Sequence, residues 1–216
     1  MKFQGILFDM DGLLLDSERL VVDAFEQTVL DFGLPNLTSV AHDMIGLRSD
    51  MADKLLQVAL KNHMDHATFD TRFHEHIHAL FDRGIPVKSG VIEFLDLITA
   101  LGLPCAIATS TKTANAERHL AKSGIADYFR SVTGGDQVDD PKPSPEIYHR
   151  AAASIGLEPN CCAAFEDSDP GTTAAFLSGA TTVQVPDLKQ PSKKIRDLGH
   201  VIAPDLMTGA TIVGLV

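Results

Sequence analysis

Two carboxylate positions and a hydroxyl stand where short apolar runs end. Asp9 follows Phe3 to Phe8, Thr109 follows Cys105 to Ala108, and the pair Glu166 and Asp167 follows Cys162 to Phe165. Such runs have the pattern of strands buried on both faces of a parallel sheet. Ligands of such sheets bind beyond the carboxyl ends of the strands, so the spacing brings three carboxylates and a hydroxyl into one crevice. Like charges a few ångströms apart in a partly dry site repel by several kcal/mol, and a bound cation offsets that repulsion. Carboxylate oxygens are hard ligands, which makes Mg2+ the natural candidate, bridging protein carboxylates to a substrate phosphate. Lys142, in the segment Asp140-Pro-Lys-Pro-Ser-Pro, can bring a second positive charge to the same place. Taken singly, each residue has a plainer role. Asp9 would be a strand-end aspartate bonding local backbone, Thr109 a helix cap and Lys142 a solvated surface lysine. Only the constellation points to chemistry.

The elements that must position these groups alternate. A fourth apolar run, Thr181 to Val185, ends at Pro186. Between the runs lie helical patterns: Val91 to Leu101 after Gly90, Ala114 to Lys122 before Gly124, and Pro145 to Ile155 before Gly156, the last with Ile147, Ala151 and Ile155 at every fourth position. Strands alternating with amphipathic helices predict an α/β fold with a Rossmann-like parallel sheet core. Residues 17–83 break the rhythm with helix after helix: Val21, Phe25, Val29 and Phe32 recur on one face, and Met51 to Leu60 and Phe69 to Phe81 give more. The expected organisation is a core of residues 1–16 and 84–216 with an inserted α-helical cap domain, 17–83, lying over the strand ends as a lid. His74, His76 and His78 do not suggest a metal site, because only His74 and His78 share a helix face and no third ligand is identifiable nearby in sequence.

Composition bounds the partners. At 216 residues the chain has room for one large domain or a core plus an insert, and its formal charge of -11 disfavours nucleic acid and anionic membrane surfaces. The basic cluster Lys189, Lys193, Lys194 and Arg196 is interrupted by Pro191 and Asp197 and reads as a solvated face. No apolar stretch nears the roughly 18 residues of a membrane span. Cys105, Cys161 and Cys162 are odd in number and lack C-x-x-C spacing, so they read as buried thiols. A strand beginning almost at Met1 leaves no room for a secretory leader, which places the expected protein in the cytoplasm, with a monomer as the default.

Four stretches in order resemble the motifs of the haloacid dehalogenase-like hydrolase superfamily: FDMDGLLLDSE at Phe8 to Glu18, ATST at Ala108 to Thr111, DPKPSPEIY at Asp140 to Tyr148, and FEDSDPG at Phe165 to Gly171. The likeness covers nearly the whole chain, including the cap inserted after the first motif. It is strongest to the β-phosphoglucomutase-like and sugar-phosphate phosphatase branch. The resemblance implies that Asp9 attacks phosphorus to give an aspartyl phosphate, and that Asp11 first protonates the leaving oxygen and then activates water. It implies metal ligation by the Asp9 carboxylate, the Asp11 backbone carbonyl and Asp167, with Glu166 helping directly or through water. Lys142, Thr109 and backbone amides near Met10, Asp11 and Ser110 would stabilise the transferring group.

The same resemblance narrows the reaction. Carbon-halogen hydrolases of the superfamily lack the second aspartate, and phosphonate-cleaving relatives replace it and use a cap lysine with no counterpart here. Sugar-phosphate mutases of the branch usually carry a histidine shortly after the first motif, where this chain has Leu20, Val21 and Val22. The expected activity is therefore magnesium-dependent hydrolysis of a small phosphorylated metabolite; the alternatives are a β-phosphoglucomutase-like phosphomutase and a phosphate-binding module without turnover. Gly46-Leu47-Arg48 looks like the substrate-specificity loop of the branch, with Arg48, and similarly Arg19, available to hold a distal anion. Two departures from the pattern are Pro141, where a glycine often precedes the lysine, and Asp169-Pro170, which replaces a more neutral pair.

Overall fold

The computed structural model describes residues 2–35, 37–45 and 49–216. In chain order the elements begin with β1 (Gly5–Phe8), α1 (Ser17–Asp31), α2 (Thr38–Met44), α3 (Ser49–Leu60), α4 (His66–Asp82) and α5 (Val91–Ala100). There follow β2 (Cys105–Ala108), α6 (Thr113–Lys122), β3 (Ser131–Thr133), α7 (Glu146–Ser154) and β4 (Cys162–Glu166). The chain closes with α8 (Asp169–Leu177), β5 (Thr181–Gln184), α9 (Lys193–Arg196), β6 (Val201–Ile202) and α10 (Leu206–Val213). Two compact units result, one of Met1–Leu15 with Pro86–Val216 and the other of Asp16–Ile85.

The first unit is an α/β Rossmann-like domain with a parallel sheet of order β3-β2-β1-β4-β5-β6. β1, β2 and β4 are buried along their whole length, which is why they read as unbroken apolar runs. Register aligns Phe8 with Ile107 on one side and Phe165 on the other. The chain moves outward from β1 through β2 to β3, then crosses back to β4, so the strand order reverses between β1 and β4. Crevices open at such a switch point, and both strands end there in acidic residues. Side chains of β1 alternate between the two helix layers: Leu7 joins Ile147, Tyr148 and Ala151 of α7 and Ala174 of α8, while the Phe8 ring meets Phe94 of α5 and stacks on Phe165 at 5.6 Å.

Two strands are absent from the apolar-run reading. β3 has three residues and β6 two, and both are edge strands. Too short for a hydrophobic period, they are recruited by an existing sheet.

The second unit is helical. α1 packs on α4 through Phe25, which lies 5.3 Å from the Phe69 ring and 5.7 Å from Phe73. Its buried stripe is Val22, Phe25 and Val29 with Ala24 and Thr28, so Val22 replaces the expected Val21, and Phe32, just past the helix, is 37% exposed. Spacings of three as well as four satisfy a period of 3.6. Asp31 ties the same pair of helices by accepting from Arg72 at 2.7 Å and meeting His76 at 2.9 Å. His76 is thus engaged in a hydrogen bond with Asp31. No helix among the described residues is long and apolar enough to cross a membrane.

Candidate active site

Asp9 is carried just past β1, its amide donating to Phe165 O across the β1–β4 pair at 3.0 Å. The chain then turns sharply, with Gly12 at φ 80°, a left-handed conformation that disfavours any side chain. Leu14 and Leu15 both donate to Met10 O, and Met10, Leu13, Leu14 and Leu15 are buried. Packed apolar neighbours on a short turn hold Asp11 in one place relative to Asp9.

β2 delivers Thr109, fully buried, with its amide on Thr133 O at 3.0 Å. Its hydroxyl donates to Asp11 Oδ2 at 3.3 Å, and Thr111 Oγ1 donates to the same oxygen at 2.7 Å. Asp11 is therefore anchored on the β2 side of the crevice. Ser110, between the two threonines, is exposed.

Lys142 enters from the segment before α7 and is buried. Its ammonium donates to Asp9 Oδ1 at 2.5 Å and to Glu166 Oε1 at 2.6 Å. Asp167 follows β4, also buried, with its backbone carbonyl accepting from Gln184 of β5 at 3.1 Å. Carboxylate oxygens of Asp9, Glu166 and Asp167 all lie within 4.8 Å of one another.

The electrostatics follow from burial and neighbours. Burial pushes the Asp9 carboxyl well above the ordinary carboxylate range, Lys142 opposes that, and Glu166 and Asp11 add to it. For Lys142 burial acts downward, but the Asp9 and Glu166 carboxylates outweigh it and hold the amine charged above its ordinary range. Three buried carboxylates against one ammonium leave an excess of negative charge in a nearly dry site. A divalent cation would offset it, and the oxygen-only donor set of Asp9, Asp167 and the adjacent Asp11 carbonyl suits a hard ion.

Of the residues singled out from sequence, Asp9, Asp11, Thr109, Lys142, Glu166 and Asp167 are brought together at the strand ends. Gly46 and Arg48 lie outside the described residues. Arg19 pairs with Asp16 at 2.6 Å within the helical unit. His74 and His78 have ring centroids 6.5 Å apart. Another group with ligand-type atoms close together, Asp53, His66 and Asp70, is partly exposed, with His66 Nε2 2.9 Å from Asp53 Oδ1. Of the cysteines, Cys105 and Cys162 are buried free thiols, raised to about 12 and about 11 by burial, whereas Cys161 is only half-buried.

Several contributors carry no obvious sequence signal. Thr111 is one hydroxyl among many until the β2 register sets it against Asp11. Tyr148 ends the third motif-like stretch and donates to Glu166 Oε1 at 3.0 Å. Ser168 caps α8 by accepting from Gly171 N, and its hydroxyl donates to Glu166 Oε2 at 3.1 Å. Asp169, one of the departures noted above, accepts from Ser192 N at 3.1 Å and so ties the start of α8 to the segment before α9.

Comparisons with known proteins place the chain among hydrolases and phosphatases in sequence and fold similarity. Residues 6–185 match the family described as haloacid dehalogenase-like hydrolase. The chain is 30% identical over 176 residues to a phosphorylated carbohydrates phosphatase of Thermotoga maritima, covering 82% of each chain. It is 28% identical to a fructose-1-phosphate phosphatase of Escherichia coli, covering 85% of this chain and 97% of that one. Among solved structures, one titled as a putative beta-phosphoglucomutase from Thermotoga maritima superimposes with a TM-score of 0.83 at 27% identity, over 99% of this chain and 100% of that one.

Proposed function

Because this chain belongs to the haloacid dehalogenase-like hydrolase family, we propose that it is a magnesium-dependent phosphatase of small phosphate monoesters, sugar phosphates foremost, acting through an aspartyl phosphate. The observation that carries the reading is a division of labour between two aspartates two residues apart. Asp9 is paired with Lys142 and lies beside Asp167; Asp11 is turned onto the hydroxyls of Thr109 and Thr111. One carboxylate is paired with the Lys142 ammonium and serves as nucleophile, while the other, oriented by two hydroxyls, serves as the acid/base group.

In the first half-reaction an Asp9 oxygen forms a bond to phosphorus as the bond to the ester oxygen breaks, and Asp11 gives its proton to the leaving alkoxide. In the second, water attacks phosphorus, Asp11 takes the water proton, and the Asp9–phosphorus bond breaks to release inorganic phosphate. Lys142, and the Thr109 hydroxyl on turning from Asp11 to the substrate, stabilise charge on the equatorial oxygens, where most of the catalytic effect of phosphoryl transfer arises. Magnesium held by Asp9, Asp167 and the Asp11 carbonyl would supply further neutralisation of that charge. The named activities of the Thermotoga and Escherichia relatives support phosphorylated carbohydrates as the substrate class. Three free cysteines suit a reducing cytoplasm, and we take the working form to be a monomer.

Incubation with magnesium and a panel of sugar phosphates, followed by assay of free phosphate, tests the proposal. Release of phosphate is expected, and Asp9→Asn should abolish it while leaving the circular dichroism spectrum unchanged. A phosphomutase is the second reading, favoured by the likeness to the Thermotoga maritima structure named as a beta-phosphoglucomutase; isomerised sugar phosphate without free phosphate would establish it. Inertness toward every ester would leave a binding module.

A further inference from the structure

We propose that Tyr148 is a positioning residue of this site: its hydroxyl completes the hydrogen-bond shell of Glu166 and so fixes that carboxylate as the counterion of Lys142 instead of a ligand of the metal. The inference rests on the phosphatase reading above and assigns a role within it that the motif resemblance left open.

Glu166 is fully buried. Its Oε2 accepts from Asp167 N at 3.0 Å, Ser168 N at 3.1 Å and Ser168 Oγ at 3.1 Å. Its Oε1 accepts from Lys142 Nζ at 2.6 Å and Tyr148 Oη at 3.0 Å. A carboxylate offers about four lone-pair sites, and two donors on one oxygen with three on the other fill them. No site is left for direct bonding to a cation. Asp9 differs: Lys142 donates to its Oδ1.

The surroundings are shaped to this arrangement. Gly171 sits so close that a Cβ there would overlap both carboxylate oxygens of Glu166. Tyr148 cannot swing away, being fully buried among Leu7, Ile147 and Ala151. Its ring also approaches Lys142 Nζ, 5.3 Å from the centroid, close enough for the ring face to attract the ammonium. Burial, with Glu166 and Asp9 nearby, raises the phenol well above its ordinary range and keeps it a donor at neutral pH. Because Tyr148 and Lys142 share one oxygen of Glu166, the phenol satisfies part of that oxygen's demand. Without it, Lys142 would be the single donor there and would be drawn from Asp9 toward Glu166.

The test compares wild type, Tyr148→Phe and Gly171→Ala on p-nitrophenyl phosphate with magnesium, beside crystal structures of wild type and Tyr148→Phe. Loss of a buried hydrogen bond to a charged group should lower kcat about tenfold in Tyr148→Phe. KM and the magnesium half-saturation should stay within about twofold, the split expected of an interaction felt in the transition state. Gly171→Ala, which displaces Glu166, should lower kcat at least as far. In the Tyr148→Phe crystal structure Lys142 Nζ should lie farther from Asp9 than in wild type. Wild-type kcat in Tyr148→Phe, or a deficit that excess magnesium reverses, would overturn the inference. If wild type itself releases no p-nitrophenolate, the phosphatase reading falls. The Lys142–Asp9 distance in the two crystal structures still decides the role of Tyr148, and an unchanged distance overturns it.

Discussion

Replacing Lys142 by methionine should destabilise the protein far more than an ordinary ion-pair deletion. Lys142 is 6% exposed, and it holds two carboxylates at once, Asp9 at 2.5 Å and the fully buried Glu166 at 2.6 Å. Methionine keeps much of the side-chain volume, so the dominant effect is electrostatic: buried negative charge loses its compensation. Removing one partner of a buried pair costs about 3–5 kcal/mol, and for a chain of this size each kcal/mol moves the unfolding midpoint by roughly 2–4 °C. The midpoint near neutral pH and without divalent metal should therefore fall by roughly 6–20 °C. The pH dependence has a definite sign. Burial already raises the Asp9 carboxyl and Lys142 opposes that rise, so without Lys142 its folded-state pKa lies further above the unfolded one; the deficit is then small at low pH and grows as pH rises through the folded-state value. Thermal unfolding followed by circular dichroism at several pH values measures both, and adding Glu166→Gln should recover part of the loss. A midpoint within about 2 °C of wild type near neutral pH, or a deficit that does not shrink on acidification, would refute the reasoning.

Other perturbations probe separate links. Thr111→Ala removes the 2.7 Å bond to Asp11 Oδ2 and should lower kcat about tenfold with little change in KM, read by steady-state kinetics. Phe8→Ala opens a cavity among Phe94, Phe129 and Phe165 and should cost about 3–5 kcal/mol in urea unfolding; a loss below about 1 kcal/mol would mean the core had closed over it. His200 Nε2 donates to Gln184 Oε1 at 2.9 Å, and burial lowers its pKa against the opposing pull of Asp169. The unfolded state then binds the proton more readily, so stability falls as pH drops below the ordinary histidine value of 6.5 toward the lowered one. His200→Gln should flatten that part of the stability profile, and an unchanged slope would count against the assignment.

Much of the candidate site was legible in the linear sequence, for a local reason. A strand buried on both faces must be a continuous apolar run, so its end announces itself, and Asp9, Thr109, Glu166 and Asp167 stand at such ends. Parallel pairing of those strands then brings the groups together without further information. Lys142 has no such signal of its own and was placed by the motif resemblance and its proline-rich setting. What only the tertiary structure decided is the supporting shell. The short edge strands β3 and β6 exist because a sheet was already there to pair with. Thr111 meets Asp11, and Tyr148 and Gly171 meet Glu166, through strand register and helix phase, and a displacement of one residue would separate them. Hydrogen bonds tolerate only a few tenths of an ångström, so partners many residues apart in sequence are set by the packing of the whole domain, whereas an apolar run and the acid that ends it are neighbours in the chain.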